Sequence, residues 1–336
     1  MNKRKFLHFF FYGFVVVILA SNHVFTQGKP KPSNRNLLSS WNNGPAKQSI
    51  LRFVQAVTDP SSSHFVPLPE RIAVFDNDGT LWAENPHAQG VFTLEQVKEG
   101  AKEHPEWTST YPFDIALERG ISGLAIEDIL KISLAADAAF SQEKLKGKMG
   151  SFVASSRHPR FKVPYTQTVY QPMLELLAYL RLHGFRTWIC TGGGMEFVRS
   201  FSEQIYGVPP EQVIGTSALC EFRETEEGSM IVRTSDLRSF NSGPAKPVNI
   251  EMHIGRRPIM AVGNSDGDFQ MLQYVAGRKG LSLKVLLVHD DAAREFDYSV
   301  EKDLPSNEQT LPIANEHGWT VVSMKKDFRK MFPFSK

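Results

Sequence analysis

Two carboxylates one residue apart, Asp76 and Asp78, close the short apolar run Ile72-Ala73-Val74-Phe75 and lead into Gly79-Thr80-Leu81-Trp82. Such a pair does not ionise comfortably unless a cation lies between the two groups or one of them keeps its proton. A hard divalent ion such as Mg²⁺ suits the site, because it takes oxygen ligands and keeps waters that a phosphate can displace. A bare Asp-x-Asp also describes a solvated turn. The longer string, an apolar run followed by Asp-x-Asp-Gly-Thr and another apolar residue, is far more specific.

Three further stretches carry chemistry. Thr191-Gly192-Gly193-Gly194 offers a hydroxyl and then glycines at a strand end, before a helix opened by Met195. That order suits a phosphate cradle: Thr191 donates to an oxygen and Gly192 lets the backbone approach. Lys246 stands in Asn241-Ser242-Gly243-Pro244-Ala245-Lys246-Pro247, a loop entering a helix. Gly263-Asn264-Ser265-Asp266-Gly267-Asp268 follows another apolar run, Pro258-Ile259-Met260-Ala261-Val262.

The elements that must position these residues alternate strand and helix. Short apolar runs closed by Asp-Gly or Thr-Gly read as buried strands whose carboxyl ends carry the polar groups. The expected fold is therefore α/β, a doubly wound parallel sheet, with ligands at the carboxyl edge. Strands are expected at 72–75, 185–190, 213–220, 257–262 and 283–288, the last being the final core strand. A hairpin, 213–220 with 230–233, is expected at the sheet's edge. Helices are expected at 49–57, 171–183, 195–206 and 248–253. Between the first strand and residue 164 the apolar spacing turns helical, over 94–101, 113–117, 126–140 and 145–154. His289-Asp290-Asp291 reads as the cap of a following helix, and the basic, aromatic tail 325–336 as a docking segment.

In this order the four stretches resemble the motifs of the haloacid dehalogenase (HAD) superfamily, which is mostly phosphatases. The helical block matches the cap of its phosphoserine-phosphatase-like branch. The resemblance implies a HAD/Rossmann-like core over 49–83 and 165–336 with an inserted all-helical cap over 84–164. It implies Asp76 as the nucleophile that becomes an aspartyl-phosphate and Asp78 as general acid and base. Thr191, Gly192 and Lys246 would bind substrate phosphate, and Asp76, Asp78, Asn264 and Asp268 would hold Mg²⁺. Asn264 replaces the usual first Asp of the fourth motif, and Asp266 would supply the missing charge if its loop turned inward. Trp82, Glu84, His87, Arg157 and His158 stand near the cap's hinges, where substrate contacts are made. The cap carboxylate that meets an amino group in phosphoserine enzymes has no counterpart in register. The implied activity is hydrolysis of a small phosphomonoester. A phosphotransferase, or a non-catalytic HAD-fold binding protein of the envelope, would share the motifs.

Bulk properties bound the setting. With 336 residues, 41% hydrophobic and 22% charged, the chain has the composition of a soluble globular protein. A net charge of +2 gives no mandate for nucleic-acid or membrane binding. Two cysteines, Cys190 and Cys220, exclude a disulfide scaffold and read as small core residues, with a bridge between them as the other reading in an oxidising compartment. Lys3-Arg4-Lys5, the apolar run 6–20 and a polar exit read as a secretory signal peptide over 1–27, with an uncleaved anchor as the other reading. Export to the periplasm or medium is expected, with residues 28–48 as a linker and no stable membrane insertion after cleavage.

Overall fold

The computed structural model describes residues 38–226, 228–300 and 304–335. The expected signal peptide lies outside them. The chain opens with α1 (Pro45–Thr58) and β1 (Ile72–Phe75), and continues through α2 (Ala88–Gly100), α3 (Phe113–Arg119), α4 (Ile126–Asp137) and α5 (Gln142–Ser155). Next come α6 (Gln171–Leu182), β2 (Arg186–Gly194), α7 (Met195–Arg199), α8 (Ser202–Tyr206), β3 (Val213–Thr225) and β4 (Gly228–Ser239). The remainder is α9 (Ala245–Ile254), β5 (Met260–Gly263), α10 (Phe269–Ala276), β6 (Leu283–Val288), α11 (Thr310–Glu316), β7 (Thr320–Ser323) and α12 (Met324–Asp327).

The strands form one seven-stranded sheet in the order β4-β3-β2-β1-β5-β6-β7, parallel except for β4, which runs antiparallel to β3. β1 is central. Val74 pairs with Trp188 of β2 on one side and Ala261 of β5 on the other. The carboxyl ends of β1, β2 and β5 therefore converge, at the point where the strand order reverses. Alternation along each strand feeds two cores, one on each face of the sheet. Ala73, Phe75, Met260 and Val262 join α1 and α6 in one core. Val74, Ala261 and Leu286 join Ile250 of α9, Met271 of α10 and Ala314 of α11 in the other. The fold is thus the doubly wound α/β architecture, with helices on both faces.

Helices α2 to α5 make an insertion between β1 and β2. Val97, Phe113, Ala116, Ile132 and Ala136 give it a small core of its own. A second seam ties it to the main core, where Phe92 and Phe152 meet at 5.4 Å and Phe92 meets Phe197 at 5.9 Å.

Several expectations are corrected. The linker does not reach residue 48: Leu38 and Trp41 are buried, Trp41 stacks edge-on against Phe328 at 5.1 Å, and α1 begins at Pro45. The tail beyond residue 325 completes the core rather than docking elsewhere, with Phe328, Met331 and Phe332 buried. β6 is not the last strand, since β7 adds parallel to it. The helix expected over 195–206 breaks in two at Phe201, whose buried ring stacks on Trp82 at 4.8 Å. β2 continues through Thr191 to Gly194, so Gly192 and Gly193 belong to the strand and Gly194 alone stands at the entry of α7. Cys190 is buried, but Cys220 is exposed on the β3–β4 hairpin; both are free thiols.

Candidate active site

β1 ends at Phe75 and places Asp76 at the carboxyl edge, where its N–H continues the ladder to the Val262 carbonyl at 2.9 Å. The chain then turns tightly. Thr80 and Leu81 donate their N–H groups to the Asn77 carbonyl at 3.1 and 2.7 Å. Gly79 takes φ of +70°, and a Cβ there would collide with the Asn264 amide and the Glu84 carboxylate. From below, His289 Nε2 stands 2.6 Å from the Gly79 carbonyl while its Nδ1 meets Glu295 at 2.9 Å. His289 therefore props the loop; it does not cap a helix. Asp290 does serve a helix start, accepting from Lys325 N in α12, while Asp291 pairs with the Arg294 side chain.

Lys246, at the start of α9, is buried and donates to both Asp76 Oδ1 at 2.7 Å and Asp268 Oδ1 at 2.5 Å. Burial disfavours its charge, but the two carboxylates more than offset this and hold the ammonium firmly protonated. Asp76 is pushed up to about 7 by burial and the neighbouring Asp268, against the opposing pull of Lys246. Burial also acts upward on Asp78, yet His87, with hydrogen bonds from His87, Trp82 and Asn77, brings it down to about 2. The Trp82 indole donates to Asp78 Oδ1 at 2.8 Å, and His87 Nε2 stands 3.5 Å from the same oxygen. Glu84 is raised to about 8 by burial and by Asp78.

The other expected residues divide. Thr191 is wholly buried, donates to Asp78 Oδ2 at 3.3 Å and accepts from Gly193 N at 2.9 Å. It orients Asp78 instead of facing open space. Gly192, Gly193 and Gly194 line the cavity, but the Gly194 N–H is already taken by Gln89 Oε1 at 2.7 Å. The cradle of backbone amides is thus narrower than its glycines suggest. Arg157 and His158 take no part, because Arg157 bonds the Lys162 carbonyl and His158 the Asn85 carbonyl.

The residues expected at Mg²⁺ fit it only in part. Asp268 spends Oδ1 on Lys246 and Oδ2 on Asn264 N, Ser265 N and Ser265 Oγ, so it organises the loop and is not placed as a ligand. Asp266 turns away and accepts from Thr310 N and Oγ1 at 2.8 and 2.7 Å, so it does not replace Asn264. Among the described residues no group of three or more His, Cys, Asp or Glu is arranged to hold a metal. Asn264 does fit. Its Oδ1 accepts from Thr80 Oγ1 at 3.0 Å and its buried Nδ2 has no partner beside the Asp76–Gly79 loop. Turned over, the amide keeps the Thr80 bond through Nδ2 and presents oxygen to that loop. Asp78, also expected there, spends Oδ1 on Trp82 and His87 and Oδ2 on Thr191, which leaves Asp76 and the Asn264 amide as the oxygen donors that fit.

Sequence reading missed the props His289 and Glu295, and Gln89, which holds Gly194. It also missed Arg233, buried in β4 and lining the same cavity as Asp76. A buried arginine seldom stands unpaired, and nothing in the sequence marks this one, because its partners Asp137 and Glu196 come from other elements.

The arrangement offers a carboxylate at the mouth of a cavity, a lysine beside it and a second carboxylate held by an indole. The chain as a whole is similar to solved structures at low identity. A conserved protein of unknown function from Anaerococcus prevotii DSM 20548 is 14% identical, with 75% of this chain and 88% of that one covered at a TM-score of 0.49. A protein of unknown function from Bordetella pertussis Tohama I is 17% identical over 75% and 98%, also at 0.49. A phosphoserine phosphohydrolase-like protein from Francisella tularensis subsp. tularensis SCHU S4 is 18% identical over 65% and 87%, at 0.37. No curated protein matches the chain. The sequence model of haloacid dehalogenase-like hydrolases matches residues 73–273, more than half of the chain and all four motifs. The chain belongs to the haloacid dehalogenase-like hydrolase family.

Proposed function

We propose that the protein is a Mg²⁺-dependent phosphatase that hydrolyses a small phosphomonoester through an aspartyl-phosphate on Asp76. The observation that carries this reading is the contact of Lys246 Nζ with Asp76 Oδ1 at the end of β1. A cation there offsets the charge of both a nucleophilic carboxylate and an incoming phosphate. Bound at Asp76 and the Asn264 amide, Mg²⁺ would supply charge neutralisation and orient the phosphoryl oxygens.

The residues then act in two steps. An Asp76 carboxylate oxygen attacks phosphorus, the bond from phosphorus to the ester oxygen breaks, and the leaving alcohol takes a proton from Asp78. Asp78 next accepts a proton from water as that water attacks the acyl-phosphate. The bond between phosphorus and Asp76 breaks, and inorganic phosphate leaves with Asp76 restored. A low pKa suits Asp78 to the second step. For the first, Asp78 takes its proton from His87 Nε2, 3.5 Å away, and returns one there after the second step; burial pulls the His87 imidazolium down, but Asp78 outweighs it and raises the group to about 9. Thr191 and Trp82 hold Asp78 in place throughout. The helical insertion forms the cavity's other wall, and its closure would keep water from the acyl-phosphate until the alcohol has left. The charged start and apolar run of residues 3–20 support export.

The test is turnover of an aryl phosphate by the purified protein. Activity should need Mg²⁺, be silenced by EDTA, and disappear in Asp76→Asn. Full activity in EDTA, or in Asp76→Asn, would remove the reading.

A further inference from the structure

The cavity that holds Asp76 and Lys246 has a volume of about 410 Å³, and its far wall is built from the insertion. Ile126, Ile129, Leu130 and Leu134 recur at three- and four-residue steps along α4, which puts them on one stripe. All four line the cavity, with Ile121 beside them. This stripe is not the face by which α4 packs into the insertion, since that work falls to Ile132 and Ala136. Ile126 remains 47% exposed, and Ile129 and Leu130 are half-buried. Apolar side chains facing a cavity gain nothing from water and gain from an apolar occupant.

The next turn of the stripe brings Asp137 to the buried Arg233, whose Nη2 stands 3.8 Å away and whose Nη1 meets Glu196 at 3.3 Å. Two carboxylates thus face the one guanidinium on this wall. It presents no spare positive charge to a substrate carboxylate, although its Nε, without a hydrogen-bond partner, can still serve a neutral oxygen.

Resting on the phosphatase reading above, we propose that the substrate's leaving alcohol carries an apolar chain or ring, which lies on the α4 stripe while its phosphate meets Asp76 and Lys246. An amino-acid head group of the phosphoserine kind, charged at both ends, finds among the described residues no unpaired cation on the α4 stripe, where Ser133 is the one polar residue beside the four apolar ones that line the cavity. Specificity then resides in Ile129 and Leu130, at the middle of the stripe.

The full chain with Mg²⁺ is assayed on methyl, butyl and hexyl phosphate, on phosphoserine and on an aryl phosphate. kcat/KM should rise by about fourfold for each methylene laid on the stripe, the factor for taking one CH₂ group out of water. Phosphoserine should fall below butyl phosphate. Ile129→Asp should cut the ratio of hexyl to methyl phosphate by about tenfold or more, and the wild-type series decides the matter alone if that variant does not fold. A flat series, phosphoserine ahead of hexyl phosphate, or an unchanged ratio in folded Ile129→Asp overturns the inference and leaves the phosphatase reading standing. No turnover of any ester, the aryl phosphate included, overturns both.

Discussion

Lys246 Nζ lies 2.7 Å from Asp76 Oδ1, although 170 residues separate the two in the chain. The contact exists because β1 stands between β2 and β5, and because the loop after β4 returns α9 to the carboxyl edge of the sheet. Lys246 also holds Asp268, so a single ammonium ties the first motif to the fourth.

Removing that ammonium should therefore damage both stability and chemistry. Lys246→Met leaves two buried carboxylates facing each other and should cost about 3–5 kcal/mol in urea denaturation. Lys246→Arg should be folded but nearly inactive, because a planar fork cannot reproduce one point charge between two carboxylates. Retained turnover in Lys246→Arg would show that the ammonium is not needed at that point.

The prop under the loop makes a second prediction. His289 and Glu295 are both fully enclosed, with Tyr298 stacked on the His289 ring at 3.7 Å. His289→Ala should lose about 1–3 kcal/mol of stability, the cost of an unanswered buried carbonyl at Gly79. It should lower kcat more than it raises KM, since the loop it holds carries Asp76 and Asp78. An unchanged kcat with lowered stability would confine His289 to a folding role.

The metal assignment is tested by Asn264→Asp. A carboxylate in place of the amide adds charge where a cation would lie, so half-activation should come at lower Mg²⁺ concentration. Thr80 Oγ1 can still donate to the new group. No change in the Mg²⁺ requirement would place the cation elsewhere.

Much of this was legible in the chain, for a reason that differs from motif to motif. The stretch around Asp76 declares itself because strand, turn and glycine are local instructions. Lys246 was findable only by motif order, since nothing in Pro244-Ala245-Lys246-Pro247 announces that the side chain will be buried. His289 and Arg233 were beyond reach: the carbonyl that His289 serves lies 210 residues away, and the carboxylates of Arg233 come from α4 and α7. β7 was missed because Thr320-Val321-Val322-Ser323 holds only two apolar residues, too few to reveal a period. Asp266 and Asp268 show the limit of spacing as a guide. Two residues apart on one loop, they turn in opposite directions, one to Thr310 and one to Lys246.

A pH dependence follows from Asp137, which burial raises to about 6, with Glu196 adding to that rise and Arg233 opposing it. Its folded pKa lies above the unfolded value, so the folded state binds the extra proton between about pH 4 and 6. Stability contributed by that proton is present at the acid end of this window and lost as pH rises through it. Asp137→Asn should flatten that fall in a series of urea denaturations. An identical slope in the variant would assign it to another group.

The central claim is that Asp76 becomes phosphorylated during turnover. Acid quenching in the steady state, followed by mass spectrometry of the peptide that spans residues 72–82, should find a phosphoryl adduct on Asp76 that hydroxylamine removes. Steady turnover with no adduct on Asp76, or with an adduct only on another residue, would contradict the account.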